Sequence, residues 1–190
     1  MKLGVYGGAF DPVHNGHLVL VSECREQLGL DAVWLVPCGS PPHKDPQQMA
    51  DANARIDMLE LATAGDPQLV VCRIEVDRPG TSFTVDTLDT IAGNNPECEL
   101  FLLLGADSVN DLVNWHQPER ICELASIVAV NRGQETGKTP VPGCRIHHVS
   151  MPALEITSTD IRRRIQNSLP VRHLVPRAVE AFLAEQPVYA

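Results

Sequence analysis

Leu3-Gly4-Val5-Tyr6-Gly7-Gly8-Ala9-Phe10-Asp11-Pro12-Val13-His14-Asn15-Gly16-His17 opens as an apolar run and ends at the mouth of a helix. Residues 3–6 form a short strand that runs into two glycines. Residues 16–28 then place Leu18, Val21, Cys24 and Leu28 at a helical period closed by Gly29. Outward from this unit the chain alternates. Residues 32–37 (AVWLVP), 69–72, 100–104, 125–130 and 145–149 read as strands, and Trp34 reads as core. Residues 52–64, 84–91, 158–166 and 176–185 read as helices, and another helix starts at 108–112. The run 100–104 is apolar throughout, as suits a parallel strand buried on both faces. This alternation predicts an α/β fold: a doubly wound, Rossmann-like parallel sheet with helices on both faces and a small helical part near 157–190, in one domain over 1–190. Residues 38–48 and 134–143 read as polar loops over a site.

Composition narrows the function. The 190 residues, 44% apolar and 21% charged, are enough to fill one core. A net charge of 15 − 24 = −9 argues against a dedicated nucleic-acid binder, which needs a broad basic face to displace counterions. Two Trp, two Tyr and four Phe are too few for a base-stacking platform. No stretch reads as a signal peptide or membrane span, so a cytoplasmic address with no membrane partner is expected. The six cysteines, at 24, 38, 72, 98, 122 and 144, show no CxxC pair, and reduced thiols are expected rather than a disulfide frame or zinc site. The sequence sets no oligomeric state.

In such sheets ligands sit beyond the carboxyl ends of the strands, and the unusual residues gather there. After the first strand, Gly7 and Gly8 let the backbone approach a ligand. Asp11-Pro12 makes a turn, and His14 and His17 stand three apart at a helix start, where both imidazoles and the helix N–H groups can meet one anion. A surface cap or a metal-holding H-x-x-H pair is the plainer alternative, but no third Cys or His follows at metal spacing. Neither G-x-G-x-x-G nor G-x-x-x-x-G-K-[ST] is present. Lys44, in Pro41-Pro42-His43-Lys44, is a point charge suited to phosphate. Arg55 reads either as serving the site or as a helix-surface salt bridge. Thr84 or Ser82 reads as an N-cap. Gly105-Ala106-Asp107-Ser108 puts a carboxylate at the sheet edge, suited to ribose hydroxyls. Trp115 follows among polar residues, and its indole suits a flat ring. Ile156-Thr157-Ser158-Thr159-Asp160-Ile161-Arg162 starts a helix whose Ser158 and Arg162 share a face. Three arginines, 162–164, in the first turns oppose the helix dipole unless a polyanion sits there.

GGAFDPVHNGH resembles the GGxFDPxHxGH signature of the HxGH nucleotidyltransferase superfamily. Over nearly its whole length the chain is most similar there to the bacterial nicotinate-nucleotide adenylyltransferases. PPHK, Arg55 to Leu59, Ser82 to Leu88, the GxD of Gly105 to Asp107 and Ile156 to Arg162 extend the likeness. Phe83 replaces the usual Tyr and Thr157 the usual Ser. The resemblance implies transfer of the adenylyl group of ATP to nicotinate mononucleotide. It implies catalytic roles for His14, His17, Lys44 and Arg162. It implies ATP contacts at Gly8, Ala9, Phe10, His14, His17, Gly105, Asp107, Ile156, Ser158 and Arg162. It implies acceptor contacts at Gly7, Lys44, Thr84 and Trp115. Mg2+ is expected to be held mainly by ATP phosphates, with no dedicated protein ligand. Two other readings stay open: a different acceptor (phosphopantetheine, glycerol phosphate or nicotinamide mononucleotide), and a non-catalytic ADP-ribose or NAD sensor. The intact HxGH with Ser158 and Arg162 argues against the sensor, which need not keep leaving-group donors.

Overall fold

Six parallel strands in the order β3-β2-β1-β4-β5-β6 make one sheet in the computed structural model, which describes residues 1–39, 49–132 and 141–189. The strands are β1 (Lys2–Gly8), β2 (Ala32–Pro37), β3 (Leu69–Val71), β4 (Glu99–Gly105), β5 (Ala125–Arg132) and β6 (Ile146–Met151). The helices are α1 (Asn15–Leu28), α2 (Ala52–Thr63), α3 (Thr84–Asn94), α4 (Ala106–Asp111), α5 (Pro118–Leu124), α6 (Ser158–Gln166) and α7 (Arg177–Glu185). The chain winds outward from β1 to β3, returns to the centre and winds the other way from β4. The order therefore reverses between β1 and β4, and this doubly wound α/β topology places a crevice at their carboxyl ends.

Strand alternation explains the unbroken apolar runs. In β4, Leu100, Leu102 and Leu104 face one way, against Val85, Leu88 and Ile91 of α3, Val109 of α4 and Ile121 of α5. Phe101 and Leu103 face the other, against Leu20, Val21 and Cys24 of α1. On that second face a further cluster joins Leu35 of β2 to Met58 and Leu59 of α2, Ile161 of α6 and Val179 of α7. The last two helices are thus packed onto the sheet face that carries α1. Gly29, at φ 61°, closes α1 in the left-handed conformation, and its N–H bonds the Arg25 carbonyl.

The structure departs from the sequence reading in a few places. β1 continues through Gly7 and Gly8 instead of ending at Tyr6. α4 begins at Ala106, two residues early, and ends in a 3-10 turn at Leu112–Asn114. α5 was not expected. Its seven residues are too few to show a helical period, and Pro118 at its start was the only signal. The expectation that all cysteines stay reduced is corrected: Cys122 at the end of α5 and Cys144 before β6 form a disulfide, with Cα atoms 4.8 Å apart. Spacing along the chain carried no sign of that approach, which follows from β5 and β6 lying side by side. Residues 40–48 and 134–140 of the two expected loops lie outside the described residues, and Lys44 with them. No helix among the described residues is long and apolar enough to cross a membrane.

Candidate active site

The loop after β1 is held from beneath. Arg55 of α2 is 2% exposed and neither meets solvent nor forms a surface salt bridge. Its Nη1 donates to the Ala9 carbonyl at 2.9 Å, Nη2 to the Cys38 carbonyl at 2.8 Å and Nε to the Ala50 carbonyl at 3.2 Å. One guanidinium thereby ties the Gly7–Phe10 stretch to the end of β2. Phe10 sits at φ 48° with its ring buried, and a cis peptide joins Asp11 to Pro12.

His14 follows as the N-cap residue of α1 and is buried. The His14 and His17 rings stack with centroids 3.7 Å apart. The His14 backbone N–H donates to His17 Nδ1 at 3.2 Å. That bond occupies Nδ1 as an acceptor and so places the ring proton of the neutral imidazole on Nε2. Phe10 lies edge-on to His17 at 5.1 Å and Tyr6 at 6.0 Å, so the imidazole is wedged in one orientation. The first turn of α1 carries no acidic residue, which keeps the end of its dipole favourable to an anion.

α6 is pinned onto the same loop. Thr157 caps it, accepting the Asp160 N–H at 3.1 Å. Ser158 Oγ donates to the Pro12 carbonyl at 2.9 Å. Arg162 Nη1 donates to the Asp11 carbonyl at 2.7 Å and lies 3.6 Å from Asp11 Oδ2. A Cβ on Gly16 would stand 3.0 Å from His14 Nδ1 and 3.8 Å from Ile156 Cβ, so Ile156 lies over the start of α1. His14, His17, Ile156, Ser158 and Arg162, 148 positions apart at the extremes, are therefore brought to one side of the sheet. Arg163 and Arg164 turn away onto Asp160, and the hydrogen bonds from Arg163 and then Arg164 hold its carboxyl below the usual carboxylate range.

Two clefts open at the reversal. A cleft of about 750 Å3 lies on the α3, α4 and α5 face, lined among others by Gly7, Gly8, Ser82, Phe83, Thr84, Asp107, Trp115 and His116. A cleft of about 350 Å3 lies on the α1 face, lined among others by Tyr6, Leu20, Leu103, Gly105 and Val130. Both include Gly7, Leu104, Asp107 and Ser108. Of the expected ATP contacts, His14, His17, Ile156, Ser158 and Arg162 line neither cleft, and nor do Ala9 and Phe10: the Ala9 carbonyl is taken by Arg55, and the Phe10 ring belongs to the core. The N-cap of α3 is Phe83 rather than Ser82 or Thr84, and its side chain makes no capping hydrogen bond. The Phe83 ring instead lies tilted against His116, with ring centroids 4.5 Å apart.

Two residues gain roles that their sequence context did not signal. Asp11, read as a turn former, is a buried acceptor for Tyr189 and Ala50. Glu75 lines the larger cleft and accepts from Thr87 Oγ1 at 2.8 Å, while Arg78 donates to that hydroxyl at 3.3 Å. Burial pushes the Glu75 carboxyl above its ordinary value, against the lowering effect of the Thr87 hydrogen bond. Glu75 lies in an irregular stretch after β3, where no periodicity marks what faces inward. Among the described residues no group of three or more His, Cys, Asp or Glu gathers to hold a metal ion.

Comparisons with known proteins place the fold and the family. The cytidylyltransferase-like family model matches residues 5–164. A Thermus thermophilus relative named as a probable nicotinate-nucleotide adenylyltransferase is 44% identical over 190 residues, covering all of both chains. A Bacillus pumilus relative of the same name is 38% identical over 188 residues, 99% of this chain and 98% of its own. The fold is shared with the solved Plasmodium falciparum nicotinic acid mononucleotide adenylyltransferase complexed with NaAD, at a TM-score of 0.82 and 16% identity over 99% of this chain and 97% of that one. With most of the chain matched by the family model and its full length by these relatives, this protein belongs to the nicotinate-nucleotide adenylyltransferase family of cytidylyltransferase-like proteins.

Proposed function

We propose that the chain transfers the adenylyl group of ATP to the 5′-phosphate of nicotinate mononucleotide, a step of NAD biosynthesis. A phosphate oxygen of the mononucleotide attacks the α-phosphorus in line, the bond from that phosphorus to the bridging oxygen breaks, and pyrophosphate leaves with the deamido-dinucleotide as product. No covalent enzyme intermediate is required, because such transfer rests on positioning and charge stabilisation. His17 Nε2–H and His14 donate to the α- and β-phosphates as charge builds on the leaving group. Arg162 and Ser158 hold the triphosphate end. Gly8, Ala9, Phe10 and Ile156 shape the ATP site mainly through backbone and packing, and Asp107 beside Gly105 meets the ribose. In the larger cleft the pyridine ring lies on Trp115 and its carboxylate meets the open first turn of α3 at Thr84, with Gly7 at the shared rim. Lys44, outside the described residues, is assigned to phosphate by resemblance alone. Mg2+ enters with the triphosphate of ATP as part of the substrate, and residues 1–190 act as one cytoplasmic nucleotidyltransferase unit with 157–190 as its helical part.

One observation carries the reading: α6 is anchored through Ser158 and Arg162 to the Asp11-Pro12 turn beside the stacked histidines. The test is pyrophosphate release from ATP with nicotinate mononucleotide, run beside nicotinamide mononucleotide, phosphopantetheine and glycerol phosphate. Fastest release with the nicotinate acceptor is expected. A different preferred acceptor would overturn the substrate, and no release with any acceptor would favour the sensor.

A further inference from the structure

Tyr189, in the segment after α7, reaches back to the loop that follows β1. Its ring is 8% exposed, and its hydroxyl donates to Asp11 Oδ1 at 2.7 Å. The same carboxylate oxygen accepts the Ala50 backbone N–H at 3.2 Å. Two donors on one oxygen oppose rotation of the carboxylate, and the other oxygen, Oδ2, is then presented to Arg162 Nη1 at 3.6 Å. Nη1 also donates to the Asp11 carbonyl at 2.7 Å, so Arg162 is gripped by both ends of one buried residue. A buried carboxylate acts on a neighbouring guanidinium with less screening than a surface one. Burial and the hydrogen bond to Asp11 push the Tyr189 phenol well above its ordinary range, so it remains a donor at every working pH. Neither the sequence motifs nor the proposed chemistry uses this tyrosine.

We propose that Tyr189 is a positioning residue for adenylyl transfer, which through Asp11 sets the guanidinium of Arg162 toward the departing pyrophosphate. This rests on the reading of Arg162 as a triphosphate ligand. Without the hydroxyl, Asp11 Oδ1 keeps, among the described residues, the longer Ala50 bond alone. The carboxylate is then less restrained, and the guanidinium keeps its bond to the Asp11 carbonyl but loses the second, charged hold that fixes its direction, while the acceptor cleft, on the other face of the sheet, is untouched.

The experiment is a double-mutant cycle of Tyr189→Phe and Arg162→Ala in the full chain, read by steady-state pyrophosphate release with both substrates varied. Tyr189→Phe is expected to lower kcat about tenfold, less than the roughly 10²-fold that a full 1 Å misplacement can cost, and to leave the KM for nicotinate mononucleotide within about twofold. In the Arg162→Ala background it is expected to cost nothing further. Unchanged kcat in Tyr189→Phe, an equal loss in both backgrounds, or a loss carried by the acceptor KM overturns the proposal. Wild-type kcat in Arg162→Ala alone instead overturns the assignment of Arg162. Should Tyr189→Phe fail to fold, Asp11→Asn takes its place in the cycle, because it keeps an oxygen for Tyr189 and Ala50 and removes the charge that faces Arg162. The same non-additive pattern is expected, and additivity overturns the proposal.

Discussion

His17 illustrates how packing and one hydrogen bond fix a single imidazole. The His14 N–H on Nδ1 sets its tautomer, and Phe10 and Tyr6 fix its plane. Removing one preorganised donor of this kind raises a barrier by about 2.7–4 kcal/mol. We therefore expect His17→Ala to lower kcat roughly 10²–10³-fold with an unchanged circular dichroism spectrum; near-normal turnover would remove the catalytic assignment. Glu75 supports a second prediction, on stability. Its carboxyl is raised in the folded state, so the native protein holds that proton to higher pH than the unfolded chain does. Its stability is then greatest below the ordinary carboxylate value and falls as pH rises through the raised value. Glu75→Gln keeps an acceptor for Thr87 and never ionises. Its unfolding midpoint should exceed that of the parent at pH 8, and the gap should close toward pH 4. A gap that widens on acidification would contradict the sign. Both histidines were legible from the motif. Glu75 and Asp11 were not, since burial and partners decide what a carboxylate does, and both depend on distant segments.

At the scale of elements, α6 joins a local signal to a distant purpose. Thr157 caps it from within, while Asp160 in its first turn draws Arg163 and Arg164 away and leaves Arg162 directed at the Asp11-Pro12 turn. Loss of an N-cap hydroxyl costs about 1 kcal/mol, so Thr157→Ala should lower the unfolding midpoint by roughly 2–4 °C for a chain of this size. Thr157→Ser, with the same oxygen, should restore it. α1, α2, α3, α6, α7 and the strands were readable because period and punctuation coincide, as at Gly29. α5 was not, being too short for a period to show. The cap of α3 was misplaced for another reason. Ser82 has the chemistry of a cap, but Phe83, one residue further on, occupies the cap position, and the Ser82 hydroxyl donates to the Glu75 carbonyl at 3.4 Å.

The whole molecule makes its site from topology. Because β1 and β4 are adjacent while their helices lie on opposite faces, clefts open on both sides of the sheet and meet at Gly7 and Asp107. Two nucleotides can approach one point from two sides. Long-range closure also shows in the Cys122–Cys144 bridge, whose partners are 22 positions apart. A loop of that length stabilises by roughly 3 kcal/mol in the chain-entropy account. Reductant should therefore lower the unfolding midpoint by roughly 6–12 °C, and thiol titration should count two more groups after reduction than before. An equal count in both conditions would remove the bridge. The alternation of strands and helices, the apolar faces, the position of the HxGH loop at a strand end and the family itself were all determined by the sequence, because each depends on neighbours a few residues away. Only the tertiary structure decided that Arg55 is a buried clamp, that Arg162 rather than Arg163 or Arg164 meets the loop, and that Tyr189 reaches Asp11. These are contacts between segments far apart in the chain, chosen by how the layers pack rather than by any pattern within one segment.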